Sequence, residues 1–493
     1  MVASGPAARW ARSLAAALRR DLAGFFAALR PAPRSRPGLY AYRTSPRRWA
    51  GMASAHNPHR AGSRRIHLRI EADGAGLLLI DASDVVHLNP TAALVAKMAL
   101  ENRRAIEAVA ALEARFHDAR RSRLVRDVGQ VYAMIAHVST TTDRCPTCGL
   151  AGLGRVALFS TPVQAPYKAD LALTYGCNNA CGHCYNERGR VGMPSLRPAD
   201  WRRVLDKLAS VGTAHAIFTG GEPTLVSALP ALIEHADRLG LVTGLNTNGR
   251  RLADGDFTRS LARAGLSHVQ ITLESCLPDV HNAMTAAASF HETVGGIRAA
   301  LQAGLHTITN TTLTRHNRDH VEQIVEFLHR LGLRTFALNG MIYSGAGRTG
   351  TDAIPEQEMG PLVVRARDRA DELGMRLIWY TPTAYCRLSP VELGLGPRRC
   401  NAGEYSIAIE PNGDVLPCQS YYTPVGNILR DAWPTIWQSP LFRSFRDRAA
   451  DPCGSGLPPE CENCPDLPLC GGGCRIEREQ SLTGGCVAWT SGN

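Results

Sequence analysis

Several things are missing from this 493-residue chain, and each absence narrows what it does. No run of 18 apolar residues exists to span a bilayer, and no secretory h-region precedes a small-residue cleavage site, so a cytoplasmic location is expected. Residues 1–65 hold no lysine and a single acid, Asp21, against 13 arginines; this segment carries about +12, while the whole chain is +11. The body is therefore close to neutral and lacks the basic surface that tracks phosphates, and no nucleic-acid partner is expected. A paired-disulfide framework is lacking as well. The 15 cysteines are odd in number and cluster at two- and three-residue spacings, which suits metal or iron–sulfur ligation in a reducing compartment. With 44% apolar and 20% charged residues the chain is globular rather than disordered, and its length allows two or three domains.

Five segments follow from composition and periodicity. Residues 1–65 form a basic extension. In it Trp10, Leu14, Leu18, Leu22, Phe25 and Leu29 recur at helical spacing over 8–30, with Arg12, Arg19, Arg20 and Arg30 elsewhere. Such a helix either packs loosely or rests weakly on an anionic membrane surface; 31–65, rich in Pro, Arg, Ser and Gly, reads as a linker. Residues 66–137 form a small domain, with strands near 66–71 and 77–80 around Asp73-Gly74 and a third extended piece at Val85, Val86 and Leu88. Asn89-Pro90 then opens the first of three helices, at about 90–101, 104–116 and 119–137. The second helix should bury Ile106, Val109, Leu112 and Phe116. Residues 138–167 are a linker with Cys145-x2-Cys148. From 168 to 385 strands near 168–174, 214–219, 240–246, 268–274, 305–313 and 333–339 alternate with helices, and a seventh strand near 376–381 follows. This predicts an α/β fold with a curved parallel sheet, a partial (β/α)6 barrel with its site at the strands' C-terminal ends. Residues 386–493 have nine cysteines and little periodicity, which predicts a domain held by metal.

Directly after the first barrel strand stands Cys177-Asn-Asn-Ala-Cys181-Gly-His-Cys184-Tyr185. Three thiolates on one short loop hold three corners of a [4Fe–4S] cube and leave the fourth iron without a protein ligand, a vacancy for chemistry. A zinc site with His183 as fourth ligand is the nearest competitor. Thr219-Gly220-Gly221-Glu222-Pro223 follows the second strand, Asn246-Thr247-Asn248-Gly249 ends the third, and Thr272 and Glu274 end the fourth with side chains on one face. Two glycines permit close backbone approach to a ligand, and Glu222 is an anion able to accept from an ammonium group.

The three-cysteine loop in this context resembles the radical S-adenosylmethionine superfamily. The resemblance implies that the open iron chelates the methionyl amino and carboxylate groups of S-adenosyl-L-methionine. One electron then releases methionine and a 5′-deoxyadenosyl radical, which abstracts hydrogen from an unreactive carbon. It implies Tyr185 beside the adenine, Glu222 on the ammonium, Gly220, Gly221, Asn248, Thr272 and Glu274 among the cofactor contacts, and Arg315 on the methionyl carboxylate. A low-potential donor such as flavodoxin or ferredoxin would supply the electron. The pattern Cys400-x12-Gly413-x4-Cys418, then Cys461-x2-Cys464-x5-Cys470-x3-Cys474-x11-Cys486, resembles the seven-cysteine SPASM domain with two auxiliary clusters, making three [4Fe–4S] clusters in all. By that resemblance Cys461, Cys464, Cys470 and Cys486 hold the outer cluster and Cys400, Cys418 and Cys474 the inner one, with Cys386 as its fourth ligand or an iron left open to substrate. Residues 66–137, quoted by GLLLIDASDVVHLNPTAALVAKM and AIEAVAALEARF, resemble a PqqD-like winged-helix domain that binds the leader of a precursor peptide.

The remaining cysteines stay open. Cys145 and Cys148 read as a zinc or cluster pair or as a structural pair, and Cys453 as incidental. Cys276, just past Glu274, should point to the barrel mouth as a hydrogen donor to a substrate radical, or else fill the core. His281, His316, Tyr343 and Glu404 lie on expected mouth loops without a spacing that compels acid–base work. Together the resemblances imply a radical SAM oxidoreductase that matures a ribosomal precursor peptide by an oxidative thioether, C–C or C–O cross-link. The alternative is a dehydrogenase, decarboxylase or epimerase acting on a protein side chain, peptide or small metabolite.

Overall fold

The structure, a computed structural model, describes residues 38–44, 64–71, 73–80, 84–116, 119–140, 158–159 and 163–481. The helix expected over 8–30, the pair Cys145 and Cys148, and Cys486 lie outside the described residues. The chain divides into two compact units, 1–156 with 210–214 and 157–209 with 215–493.

In the first unit strands β1 (Gly38–Thr44), β2 (Arg64–Ile70), β3 (Gly76–Ile80) and β4 (Asp84–Leu88) form an antiparallel sheet in the order β1-β2-β3-β4. Strand β1 lies in the stretch read as a linker. Its alternation places Tyr40 and Tyr42 against the core, and it pairs with β2 from Gly38↔Ile70 to Thr44↔Arg64; the Pro- and Arg-rich flanks hide that pattern. Helices α1 (Pro90–Leu100), α2 (Ala105–Glu113) and α3 (Arg121–Thr140) follow. The expected cap forms: the Asn89 side chain accepts from the Ala92 N–H at 2.8 Å, with Pro90 at the first helical position. Helix α2 turns differently from expectation. It buries Ala105, Ala108, Val109, Ala111 and Leu112, whereas Phe116, beyond the last turn, is 41% exposed. Alanines at 105, 108 and 111 allow the close packing that a larger face would prevent.

The second unit is built on a nine-stranded sheet in the order β11-β10-β9-β8-β7-β6-β5-β12-β13. Strand β5 (Lys168–Thr174) leads to α4 (Pro198–Val211), β6 (His215–Gly220), α5 (Leu229–Arg238), β7 (Val242–Thr247), α6 (Gly255–Arg263) and β8 (His268–Thr272). Helices α7 (Pro278–Thr285) and α8 (Phe290–Gln302) precede β9 (His306–Thr312). Then come α9 (Val321–Arg330), β10 (Thr335–Asn339), α10 (Glu356–Glu372) and β11 (Arg376–Trp379). Strands β5 to β11 are parallel and adjacent in chain order. Right-handed crossovers between consecutive neighbours put every connecting helix on one face. That face is apolar: Leu171, Phe218, Leu245, Ile271, Phe336 and Leu338 are fully buried.

The other face differs. Strand alternation and the register put Asp170, Thr219, Asn246, Gln270, Thr272, Asn310, Thr312 and Asn339 on it. A closed barrel interior is normally filled by branched apolar side chains; a polar row here marks a face kept for a polar ligand.

The cysteine-rich segment begins by extending this sheet. Strand β12 (Ser406–Ile409) pairs parallel with β5, and β13 (Val415–Leu416) pairs antiparallel with β12. The turn between them carries Gly413 at φ +89°, with its N–H bonded to Glu410 O at 2.9 Å. Short helices α11 (Trp433–Trp437), α12 (Pro440–Arg446), α13 (Leu467–Cys470) and α14 (Arg475–Ser481) follow.

Candidate active site

Cys177, Cys181 and Cys184 occupy the loop leaving β5, at the edge where the strands end. Several elements hold that loop. The Ala180 and Gly182 N–H groups donate to Thr285 O (3.0 Å) and Met284 O (3.2 Å) at the end of α7, and Cys184 O accepts from Ala346 N (2.8 Å) and Gly347 N (3.3 Å). Asn248 Nδ2 donates to Asn178 Oδ1 at 2.6 Å, and Arg250 reaches Asn178 O and, at 3.1 Å, Asn179 Oδ1. Arg250 escaped the sequence reading although it directly follows Asn-Thr-Asn-Gly.

Burial pushes all three thiols up; Glu222 adds to this at Cys177 and Glu274 at Cys181. Iron must hold them as thiolates, so loading a cluster has to overcome that penalty. His183, the zinc competitor's fourth ligand, is committed elsewhere: its Nε2 lies 2.8 Å from Glu274 Oε1. Among the described residues no three His, Cys, Asp or Glu side chains converge on one point as single-ion ligands. Thiolates at the corners of a cube are spaced more widely than that.

Glu222 and Glu274 are both fully buried. Glu222 Oε1 accepts from Thr224 N (3.0 Å), Thr224 Oγ1 (2.6 Å) and Thr247 Oγ1 (2.7 Å), and its Oε2 accepts from Asn248 N (2.8 Å). It ties the end of β6 to the end of β7. Glu274 Oε2 accepts from Thr312 N at 2.8 Å, and Asn317 Nδ2 donates to Glu274 O at 2.7 Å. The two glycines before Glu222 also pack against protein backbone. A Cβ on Gly220, at φ +128°, would lie 2.1 Å from Thr174 O, and one on Gly221 would lie 2.3 Å from Gly176 O. They let the end of β6 press against the backbone that launches the cluster loop. Tyr185 lines a small cavity with Ala172, Thr219, Gly220, Glu410 and Gln419. Glu410 there accepts from Tyr175 Oη at 2.8 Å and pairs with Arg190; no spacing rule pointed to it.

Arg315 is exposed, with its N–H bonded to Asp352 O at 2.9 Å, and it does not join the loop. Cys276 is half-buried, and the charges of Arg330 and Glu326 on α9 act on its thiol. His281 accepts from Glu274 N at 3.2 Å and contacts Ser289 at 3.1 Å as a buried link. His316 pairs with Asp352 at the surface. Tyr343, half-buried, is raised by burial and by Glu477 and Glu356. Burial and Glu477 push the Glu356 carboxyl up to about 7.

The C-terminal thiols fall into two groups. Cys400, Cys418 and Cys474 influence one another; burial raises Cys418 strongly and carries Cys474 up to about 12. Cys461, Cys464 and Cys470 form the second group, with Cys461 pushed up to about 11 by burial and its neighbours. Cys386, expected at the inner site, belongs with this second group: its thiol and those of Cys470 and Cys461 act on one another, and the adjoining Tyr385 N–H donates to Cys470 Sγ at 3.3 Å. The segment 383–386 lies against Cys470, which spacing along the chain does not reveal. Cys453 is exposed.

On the polar face, the Oδ1 atoms of Asn310 and Asn339 are buried without a hydrogen-bond partner. Orphaned acceptors on this face fit a ligand rich in hydroxyl and ammonium donors. The fold and the three-cysteine loop define an α/β enzyme of the iron–sulfur class. Residues 171–328 match the radical SAM superfamily and 400–465 the SPASM iron–sulfur cluster-binding domain. PqqA peptide cyclase of Xanthomonas oryzae pv. oryzae (strain MAFF 311018) is 30% identical over 334 residues, 64% of this chain and 85% of that protein. The PqqA peptide cyclase of Streptomyces rochei is 30% identical over 333 residues, 66% and 88% of the two chains. Streptococcus suis SuiB bound to S-adenosylmethionine shares the fold at TM-score 0.62 and 17% identity, over 84% of this chain and 95% of SuiB. SuiB bound to its precursor peptide SuiA aligns at 0.60 and 16%, over 84% and 94%. The chain belongs to the radical SAM superfamily, as an S-adenosylmethionine and iron–sulfur enzyme with a SPASM domain, related to the PqqA peptide cyclases. Among the described residues no helix is long and apolar enough to cross a membrane.

Proposed function

We propose that this enzyme matures a ribosomally made precursor peptide, using the first unit to hold the leader and the second to oxidise a core residue into a thioether, C–C or C–O cross-link. The observation that carries this reading is the four-stranded sheet of the first unit. Its order leaves β1 and β4 as edges, and an extended peptide adds to such an edge through main-chain hydrogen bonds. The likeness to SuiB, which has been seen with a precursor peptide, covers more of the chain than the radical SAM and SPASM segments alone, in keeping with a PqqD-like, winged-helix-like first unit.

S-adenosylmethionine, when bound with a reduced cluster, supplies a 5′-deoxyadenosyl radical. The chain's own residues do the rest. Cys177, Cys181 and Cys184 hold the iron, and the polar row with Asn310 and Asn339 receives the ligand's donors. Tyr185, Asn248 and Thr272 border the same edge, and Glu222 and Glu274 lock the loops around it. Of the three [4Fe–4S] clusters in this reading, one sits on the loop. A second sits on Cys461, Cys464 and Cys470 with Cys386, and the third on Cys400, Cys418 and Cys474. The first electron comes from a flavodoxin- or ferredoxin-like donor.

The test is high-resolution mass spectrometry of short peptides encoded beside the gene, after anaerobic incubation with reconstituted enzyme, S-adenosylmethionine and reductant. A loss of two hydrogens from one peptide, with one 5′-deoxyadenosine formed per modification, is expected. An unchanged mass and unchanged chirality in every peptide that binds would reject the reading.

A further inference from the structure

Around Cys400 and Cys474 the C-terminal segment buries three guanidinium groups. Arg399 and Arg448 are 5% and 4% exposed and share one carboxylate, Glu404. Arg448 Nη2 also donates to Cys400 O at 2.7 Å, and Arg399 Nη1 donates to Pro468 O at 3.0 Å. Arg478 on α14 donates to the carbonyls of Gly472 and Gly473, between Cys470 and Cys474, and its charge acts on the Cys400 and Cys474 thiols. The three glycines 471–473 all have positive φ, and a Cβ on Gly472 would come to 2.2 Å from Leu457.

The charges do not balance. Arg399 and Arg448 share one carboxylate while Arg478 is bonded to carbonyls; Glu477, the other acid near Cys474, is also engaged by Arg387 at 3.8 Å. In addition, the Nε–H donors of Arg399, Arg448 and Arg478 are all buried without a partner. Burying an arginine against backbone carbonyls alone costs several kcal/mol unless an anion compensates it. A thiolate-ligated iron–sulfur cluster is such an anion.

We propose that Arg399, Arg448 and Arg478 form a cationic shell that compensates the charge of the cluster on Cys400, Cys418 and Cys474 and raises its reduction potential, fitting it to accept the electron left on the substrate. This rests on the reading that those three cysteines hold a cluster. Reduction adds one negative charge to the cluster without making or breaking a bond, and nearby positive charge favours the reduced form. The electron comes from the substrate carbon radical, which loses a proton as its cross-link or double bond closes.

The experiment is an EPR-monitored redox titration, with iron analysis, of the reconstituted full chain as wild type, Arg478→Gln, Arg478→Lys and Cys474→Ala. Arg478 is chosen because it hydrogen-bonds carbonyls, so its loss breaks no carboxylate pair. Arg478→Gln should lower the reduced-to-oxidised ratio of the inner cluster about tenfold at a fixed potential, ~59 mV for a one-electron couple. Arg478→Lys should stay within about twofold of wild type, and the loop cluster should not move. An inner signal at the wild-type midpoint in Arg478→Gln, with full iron, would overturn the proposal. Loss of that iron in Arg478→Gln but not in Arg478→Lys supports charge compensation; equal loss in both overturns it. Cys474→Ala separates the two readings. If it keeps all iron and every signal, the cluster assignment fails rather than the shell.

Discussion

Glu274 joins three parts of the site: its side chain reaches the cluster loop at His183 and β9 at Thr312, and its backbone N–H donates to the ring of His281. A buried carboxylate with these partners fixes where the backbone between Cys181 and Cys184 runs, as an outer-shell group does for a metal ligand. Glu274→Gln keeps the shape and removes the charge. It should slow 5′-deoxyadenosine formation about 10- to 100-fold and alter the EPR response of the loop cluster to added S-adenosylmethionine. Wild-type values for both would reduce the His183–Glu274 contact to packing. At this scale the sequence was a partial guide. Cys177-x3-Cys181-x2-Cys184 was legible as a candidate ligand set because spacing along one short loop is local chemistry. Glu222 and the glycines before it were recognised as important, but not their protein partners Thr224, Thr247, Asn248 and the Thr174–Gly176 backbone. Those partners sit one strand away, and no single-strand pattern encodes them. The same holds for Cys386, whose neighbours at 461 and 470 are distant in sequence.

Strands β6, β7 and β8 begin with another such contact. His215 Nε2 and His268 Nε2 lie 2.7 Å apart, so a single proton sits between two rings. Gly244 on β7 makes the room: a Cβ there would come to 2.4 Å from the His268 ring and 3.2 Å from His215. Burial lowers His268 to about 4, with His306 and Lys168 adding to it. The unfolded imidazole titrates near 6.5 and the folded one near 4, so between those values the unfolded chain binds more protons. Stability is therefore full above about pH 6.5 and falls as pH drops toward 4, by on the order of 2–3 kcal/mol. Urea midpoints from pH 7 to 4 should show this slope, and His268→Gln should flatten it; an equal slope in the variant would exclude His268 as the cause. Elements of this second unit were legible because each βα repeat carries its own period and strands 168–174 and 268–272 stop where turn residues begin. Strand β1 and the face of α2 were not, because Tyr40 and Tyr42 are an alternation of only two residues, and alanines bury as readily as the larger side chains that dominate a pattern.

Across the whole molecule the division of labour is a question about iron. Among the described residues after 394 the helices are short and two strands form, leaving much of the cysteine-bearing chain irregular, so bound metal has to contribute folding energy there. The segment that includes β5 to β11 has a continuous core under its helices and needs none to fold. Three cubes require about twelve irons per chain, four for each. Cys181→Ala should lose about four of them and all 5′-deoxyadenosine, while its urea midpoint stays close to wild type, because the loop lies at the edge of a sheet that is already packed. Cys464→Ala should also lose about four irons, yet keep measurable 5′-deoxyadenosine and unfold at lower urea. Reading iron, cleavage and midpoint together separates a catalytic cluster from one that also supports the fold. A Cys464→Ala enzyme with full iron and an unshifted midpoint would remove the second thiol group from the list of ligands. A wild-type chain that never exceeds about four irons would remove both C-terminal clusters and leave the loop as the sole site of chemistry.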